Sequence, residues 1–436
     1  MARYIVRRLL TMLLTMLVVS ILVFAIVEIA PGNVARNILG AYATPEQEKS
    51  MENQLGLDRP VVARYISWLF GSDWLVSHQV GAPLDLVVVE QGVVKAHAQW
   101  WQVDQNGDLV RWDVRAGDLI KLVRQEDGST VEVPSEQAWL VDEDGHKYFW
   151  GLDTANRAAL WVQGESGTEF TYEYSGWIAA TDAPADYIPV SKGLLRGDAG
   201  ISLRYQRPVS EILGRRVINS AILAAAAFAV SMPIAIFLGV VAGLNEGKPL
   251  DRVISVSGLI TAASPDFATG ILLILIFALW LGWLPGAAVF LSDTALLEQP
   301  KLLVLPVLTA SLVEIGYVLR ITRASVVEVM NSGYVRTAIL KGLPYRNVVL
   351  RHVLRNAMMA PITVIMLHIN WLIGGLVVVE SVFGYPGLGS LILNAALYKD
   401  IYSIEASAML LIALAVGTQL IADVIYSLIN PRIRFS

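Results

Sequence analysis

The 436-residue sequence contains no cysteine. That excludes thiol nucleophiles, thiolate metal sites and disulfides, and it leaves any outward-facing part to hold together by packing alone. Charge is scarce too: Asp, Glu, Lys and Arg make up 16% of the chain, against about 25% in a soluble domain. With 55% hydrophobic residues and a mean hydropathy of +0.54, the chain reads as a polytopic membrane protein. Histidine is sparse as well, and His78, His97 and His146 are too scattered to read as metal ligands. No G-x-x-x-x-G-K-[ST] loop occurs, so the chain itself carries no phosphate-binding loop of that kind.

Six apolar stretches have the length a bilayer-spanning helix needs: Leu9–Ala30, Val217–Leu244, Ile254–Leu284, Leu302–Val318, Pro361–Phe383 and Ser403–Leu428. The first follows Arg3, Arg7 and Arg8. It is longer than the apolar part of a signal peptide and ends at Pro31-Gly32-Asn33 without a small-residue cleavage pattern, so it is expected to stay as an anchor. Lys and Arg favour short cytoplasmic loops. They gather in Met1–Arg8, Asn245–Arg252, Leu319–Ala360 and Pro431–Ser436, while the alternate short loops hold only Lys301 and Lys399. The expected topology therefore has six spans and both termini inside, in the cytoplasmic (inner) membrane. Residues of about 34–216 are then extracytoplasmic. Arg204, Arg207, Arg215 and Arg216 oppose this pattern, but they lie in a long translocated loop, where the charge bias is weak.

That outer block has two textures. Its flanks, 34–75 and 191–216, read as short amphipathic helices and turns, whereas 76–190 alternates apolar and polar residues as strands do. Runs such as Leu86–Glu90, Leu109–Val114, Leu119–Val123 and Thr130–Val133 are separated by Asn106-Gly107, Asp127-Gly128 and Asp144-Gly145, which favour type I′ hairpin turns. From Val76 to Lys192 there are 19 acidic and 8 basic residues, a net of −11 in a chain of −5, so the remainder carries +6. The expectation is an acidic, mainly-β domain outside the membrane. Trp100, Trp101, Trp112, Trp139, Trp150, Trp161 and Trp177 crowd it, and two readings stand: a stacking platform for a sugar or peptide, or the core of a disulfide-free module.

The longest part of the C-terminal half that cannot sit in lipid is Leu319–Ala360. Ser325–Lys341 has helical spacing on its apolar side, through Val326, Val329, Met330, Tyr334 and Ala338. Gly342-Leu343-Pro344 stops it, and a second helix is expected over Tyr345–Met358. Two helices would then meet at a corner shaped to dock in a groove of another protein. A solvated basic loop explains the same charge, and physics alone leaves both readings open.

Tyr334-Val-Arg-Thr-Ala-Ile-Leu-Lys-Gly-Leu-Pro344, followed by Leu350-Arg-His-Val-Leu-Arg-Asn-Ala357, resembles the EAA loop of ABC-importer permeases, in the form carried by the dipeptide/oligopeptide/nickel branch. The general Glu-Ala-Ala triplet falls here on Arg336-Thr337-Ala338, and the general Ile-x-Leu-Pro on His352-Val353-Leu354-Arg355. Both departures match that branch. Arg7-Arg8-Leu9, Leu55-Gly-Leu-Asp-Arg-Pro60, Gly197-Asp198, Arg207-Pro-Val-Ser-Glu-Ile212, Ser264-Pro-Asp-Phe-Ala-Thr-Gly270, Trp283-Leu-Pro-Gly286, Val382-Phe-Gly-Tyr-Pro-Gly-Leu-Gly389 and Lys399-Asp400 extend the resemblance along most of the chain. Residues 76–190 stand outside it and read as an insertion.

The resemblance implies an all-α permease of the type I importer fold with six transmembrane helices, a B-type subunit interrupted by the β domain. It implies as partners a second permease subunit, most simply in a heterodimer, two cytoplasmic ATPase subunits and an extracytoplasmic solute-binding protein, with lipid around the spans and no nucleic acid. ATP and Mg belong to the ATPase subunits; this chain is expected to bind no cofactor or metal and to carry no catalytic group. Tyr334, Val335, Arg336, Thr337, Ala338, Ile339, Leu340, Lys341, Gly342, Leu343 and Pro344 form the expected ATPase-coupling corner. Ionisable residues within spans are costly and usually face the bundle interior. Asp266, Glu314, His368, Asn370 and Glu380 are therefore candidates for the translocation path, with burial as structural hydrogen-bond partners as the competing role; Glu28 and Asp423, near span ends, read as structural. Peptides are the substrate the resemblance implies, with nickel chelates or oligosaccharides as alternatives and a polytopic membrane enzyme acting through its outer domain as a distant one.

Overall fold

In a computed structural model of the chain, the structure describes residues 2–29, 33–40, 42–80, 87–90, 93–96, 101–104, 106–135, 138–141, 145–152, 156–164, 167–173, 176–179, 187–188, 190–205, 207–288 and 299–429. His97, Trp100, Asp144 and the basic residues after Pro431 lie outside them, as do the side chains of Arg3, Arg7, Arg8, Asn370 and Asp423. The chain divides into two compact units. One holds Met1–Val23, Leu213–Asn394 and Ser407–Ser436, the other Phe24–Ile212 and Ala395–Ala406.

The first unit is helical. Its elements are α1 (Ala2–Ile29), α6 (Val209–Leu244), α7 (Pro249–Ala263), α8 (Asp266–Trp280), α9 (Lys301–Met330), α10 (Gly333–Leu340), α11 (Tyr345–Ala357), α12 (Met359–Phe383), α13 (Leu388–Tyr398) and α14 (Ile401–Ile429); the last turns of α1 and α13 and the first turns of α6 and α14 belong to the second unit. Among the described residues, four helices are long and apolar enough to cross a membrane: Leu10–Ile29, Val209–Leu244, Lys301–Met330 and Ile401–Leu420. Bent pairs raise the count to as many as seven. The expected third span, Ile254–Leu284, is one of these pairs: α7 and α8 meet at 107°. Ser264 and Pro265 are both extended there, because proline disfavours helical backbone in the residue before it.

Helix α9 is the hub of this unit. Lipid gives no hydrophobic drive for one helix to seek another, so close packing must come from small residues. On α6, Gly239 and Gly243 lie four apart and face α9: a Cβ on Gly243 would sit 2.7 Å from the Val326 side chain, and one on Gly239 2.9 Å from the Leu319 carbonyl. On the α7 side, a Cβ on Gly316 would come 2.7 Å from the Ala262 nitrogen. Near the end of α9 the contacts turn polar. Arg323 donates from Nε and Nη2 to the two oxygens of Asp251 at 2.5 and 2.8 Å, and Asp251 also accepts the Gly247 N–H at 2.9 Å.

The second unit contains α2 (Val34–Leu39), α3 (Pro45–Gln54), α4 (Val61–Phe70) and α5 (Asp73–Val80), followed by twelve short strands. The strands are β1 (Val87–Glu90), β2 (Val93–Ala96), β3 (Gln102–Val103), β4 (Leu109–Arg115), β5 (Asp118–Arg124), β6 (Thr130–Pro134), β7 (Leu140–Val141), β8 (Lys147–Leu152), β9 (Ala158–Gln163), β10 (Glu169–Glu173), β11 (Gly176–Ala179) and β12 (Tyr187–Ile188). They form antiparallel meanders: a β1-β2 ribbon, a four-stranded β3-β4-β5-β6 sheet and a six-stranded sheet from β7 to β12. Val76 and Val80 of α5 join Leu119, Trp150, Leu160, Val162, Phe170 and Trp177 in one core. Trp112 stacks on Trp150 at 5.2 Å, so these tryptophans fill the core. Trp139, Phe149 and Trp161 form a separate aromatic row, to which Phe149 and Trp161 contribute as directly opposed residues of β8 and β9.

The turns differ from expectation. Asn106 and Asp127 keep negative φ, and only Gly107 (+85°) and Gly128 (+82°) enter the left-handed region, so these are longer loops rather than two-residue type I′ turns. Among the described residues, the two-residue hairpin with positive φ at both positions is Ala116-Gly117, between β4 and β5. The β segment leaves and returns at one place: Ser72 donates its N–H to the Ser191 carbonyl at 2.9 Å, and the Ser191 N–H returns to Ser72 Oγ at 3.0 Å. Beside this join, Arg196 Nη1 reaches Asp73 Oδ2 at 2.7 Å. Burial works to raise the Asp73 pKa, but hydrogen bonds from Arg196 and the Trp74 N–H, with the Arg196 charge, hold it below its ordinary value.

Two outcomes are expected. Gly316→Val should force α7 away from α9 and lower the thermal midpoint of the detergent-solubilised protein, with a cost of about 1–3 kcal/mol for overpacking. Because the folded pKa of Asp73 lies below the unfolded one, its pairing stabilises above about pH 4 and is lost as pH falls through the folded value. Asp73→Asn should accordingly cost about 1 kcal/mol or less at pH 7, since Arg196 is half-exposed. Once the pH lies below the folded-state pKa of Asp73, thermal unfolding should no longer separate the variant from the parent.

Candidate functional site

The corner after α9 is built from three helices. Ser325–Lys341 is not one continuous helix: α9 ends at Met330, Asn331 closes it with an N–H bond to Val327, and Ser332 is extended before α10 begins. The Ser332 hydroxyl donates to the Val329 carbonyl, one of the acceptors left open by a helix end. Gly342, at φ +74°, ends α10, and Pro344 opens α11, as glycine and proline dictate. Within α11 the run Val348–Val353 is wound as a π-helix.

Helix α10 has an inner and an outer side. Val335 and Ala338, three residues apart, pack with Val326, Val348, Val353 and Ala357. Ser325 Oγ donates to the Ala357 carbonyl at 2.7 Å and ties the two ends of the corner together. Tyr334, Arg336, Thr337, Ile339 and Leu340 are exposed, Leu340 at 80%, and Lys341, Leu343 and Tyr345 continue that surface. Ala338 is buried on the apolar side where periodicity put it, and that side faces its own chain. What the corner offers is a ridge of apolar side chains edged by Arg336, Lys341 and Arg346, anchored from behind.

The candidate polar residues of the spans separate. Glu314 of α9 is fully buried; its Oε2 lies 2.9 Å from His368 Nδ1 on α12. The His368 ring lies 5.4 Å from that of Tyr317, one turn along α9. Asp266 stands at the start of α8, a helix that packs on both α9 and α12. The fold thus pairs Glu314 with His368 and sets the helix that Asp266 opens against both of theirs. Glu380 lies elsewhere, wholly buried, accepting Ser220 Oγ–H from α6 and the Ser390 N–H at 3.0 Å from the first turn of α13. Ser220 Oγ in turn accepts the Leu388 N–H at 2.7 Å, so Glu380 and Ser220 together satisfy the opening of α13. Asn370 falls in α12, with its side chain outside the described residues.

The second unit contains polar groups that reading the sequence did not single out. Asp400 accepts the Ser202 hydroxyl, the Leu203 N–H at 3.0 Å and the Ser403 hydroxyl at 2.7 Å. Glu405, 1% exposed, has no hydrogen-bond partner for either oxygen among the described residues. A carboxylate in the first turns of an apolar run was the available signal. Glu28 pairs with Arg64 Nη2 at 2.5 Å, as its place near a helix end suggested. Among the described residues no cluster of three or more His, Asp or Glu side chains could hold a metal ion.

Helices long and apolar enough to cross a membrane, with an anchored corner that presents an exposed ridge, make this an integral membrane protein. The chain belongs to the family described as the binding-protein-dependent transport system inner membrane component: that family's model matches residues 235–435, and a model of the N-terminal part of such membrane components matches residues 1–82. It is a multi-pass inner-membrane permease of the ABC-importer class. The chain is 34% identical over 242 residues to a peptide transport system permease protein of Brucella abortus, a match covering 56% of this chain and 77% of that one. It is 36% identical over 251 residues to the oligopeptide transport system permease protein OppB of Escherichia coli, covering 57% of this chain and 80% of the relative. A solved amino acid ABC transporter, in complex with histidines, aligns with a TM-score of 0.40 and 16% identity over 51% of this chain and 95% of that chain.

The Glu380 arrangement yields a stability test. Ser220→Ala removes the donor to Glu380 and the acceptor of the Leu388 N–H, and it should cost about 2–3 kcal/mol in thermal unfolding of the solubilised protein. Glu380→Ala should cost at least as much.

Proposed function

We propose that this chain is a permease subunit of a peptide importer, driven by ATP hydrolysis on partner ATPases that dock on the α9–α10–α11 corner. The observation that carries the proposal is the division of α10 into a buried anchor, Val335 and Ala338, and an exposed apolar ridge, Ile339 and Leu340. A solvated loop has no use for a rigidly backed ridge, whereas a groove in a partner does. The corner is also tied to the spans, through Ser325–Ala357 at its root and Arg323–Asp251 one turn above. Force applied to α10 therefore reaches α9 and α7 through packed, hydrogen-bonded contacts. Peptide is the substrate named for the Brucella and Escherichia relatives.

In the same reading six spans cross the inner membrane with both termini in the cytoplasm, bent pairs included. Residues of about 34–216 lie outside, where a solute-binding protein delivers substrate, and a second permease, different in sequence, completes the path. Nucleotide and Mg reside on the ATPases. The β segment is an insertion of about 76–190 into the permease; the stretch 83–234 lies outside both family matches, and the hydrogen-bonded join of Ser72 and Ser191 supports a single point of entry and return.

Leu340→Glu tests the docking reading, because it places a charge on the ridge without touching the buried face of α10. Transport of a labelled peptide in proteoliposomes carrying the assembled importer should fall at least about tenfold, either with loss of ATPase subunits from the complex or with hydrolysis no longer stimulated by peptide. Unchanged uptake by an intact complex would remove the corner from the coupling path.

A further inference from the structure

Glu314 and His368 form a buried pair, and Asp266 opens a helix that packs on both of theirs. All three belong to helices of the first unit that pack on or form the hub: α8, α9 and α12. Glu314 has one oxygen on His368, while its Oε1 is buried and has no hydrogen-bond partner among the described residues. Neither Asp266 nor Glu314 has a Lys or Arg within ion-pair distance among those residues. Two carboxyl groups and one imidazole in an apolar bundle therefore lack fixed positive charge, and such intramembrane groups ordinarily find a partner or serve function. Glu380 shows the contrast, with both oxygens already engaged by Ser220 and the Ser390 N–H.

The missing partner has a definable chemistry. It must bring positive charge and at least one hydrogen-bond donor for Glu314 Oε1. Among the described residues these three side chains do not converge closely enough to hold a metal ion. A primary ammonium does fit: it carries three donors and full charge, and the ring of Tyr317 beside His368 gives it an aromatic face as well. The cluster is also open on one side, with the His368 side chain 19% exposed and Tyr317 41% exposed.

The geometry points to Glu314 and Asp266, with His368 and Tyr317, as a transit site for the primary ammonium group of the transported peptide. This rests on the reading of the chain as a peptide permease. His368 holds the Glu314 carboxylate through Oε2 and leaves Oε1 to the passenger; Asp266 supplies the second negative charge, at the N-terminus of α8. The site is a waypoint for a charged group that would otherwise cross an apolar bundle unaccompanied.

The test uses the full importer in proteoliposomes with its binding protein, and three probe peptides: one with a free amino terminus and no lysine, one N-acetylated with an internal lysine, and one N-acetylated without lysine. Each rate is taken as the ratio of variant to parent for the same peptide, which cancels selection by the binding protein. Glu314→Gln should lower the ratio about tenfold or more for a peptide with an ammonium and leave it near one for the peptide with none. A loss confined to the first peptide assigns the site to the amino terminus; a loss for the first two assigns it to any primary ammonium. Asp266→Asn, on the more open side of the cluster, should repeat the pattern and guards against misfolding of the Gln variant. Equal loss for all three peptides in both variants, or no loss in either, overturns the proposal while peptide transport stands. Failure of the parent importer to move any of the three peptides overturns the peptide reading itself.

Discussion

Everything in the helical unit depends on how near α6 and α7 come to α9. Gly239, Gly243 and Gly316 let backbone meet side chain or backbone at distances that a Cβ would forbid. In lipid, where leucine gains nothing by leaving one apolar surface for another, this contact is what selects one bundle over the alternatives. Across the contact with α7, Arg323 meets Asp251. Packing and polar chemistry are therefore one arrangement: the glycines set the distances, and the carboxylates must answer to them.

Those answers share a form. Asp400 accepts Leu203 N–H and two hydroxyls, Asp251 accepts Gly247 N–H and a guanidinium, and Glu380 accepts Ser390 N–H and a hydroxyl. Each carboxylate fastens a turn or helix start to a distant segment, so each position doubles as a clasp in the fold. Glu314 and Glu405 depart from the pattern by retaining oxygens with no partner among the described residues.

The sequence made the long apolar helices legible because hydropathy over some twenty residues outweighs local detail, and the β segment legible because alternation survives turn by turn. Three features escaped. The break at Asn331-Ser332 sits inside an apolar period that runs through it, so spacing alone read one helix. Hairpin chemistry was placed at Asn106-Gly107 and Asp127-Gly128, where glycine is indeed left-handed, but the paired strands set longer loops; Ala116-Gly117 carried no such dipeptide signal. Among the candidate site residues, Asp266, Glu314 and Glu380 looked alike as isolated acids in apolar stretches. Only the fold shows that Ser220 and Ser390 reach Glu380 while His368 reaches Glu314, because those neighbours come from other helices. Family resemblance reached the corner between α9 and α11 but not the inward turn of Ala338, which depends on Val348 and Val353 lying behind it.

The bonds between Ser72 and Ser191 carry one further consequence. Two positions that share reciprocal hydrogen bonds are already as close as neighbours across a tight turn, so the surrounding chain meets the intervening segment as a closed loop whose length it does not feel. The entropy of closing that loop grows only slowly with its length. A gene that lengthened, shortened or exchanged the segment would leave the helices before and after it in register, which makes this join a natural splice point at which the intervening strands can change without disturbing the short helices on either side.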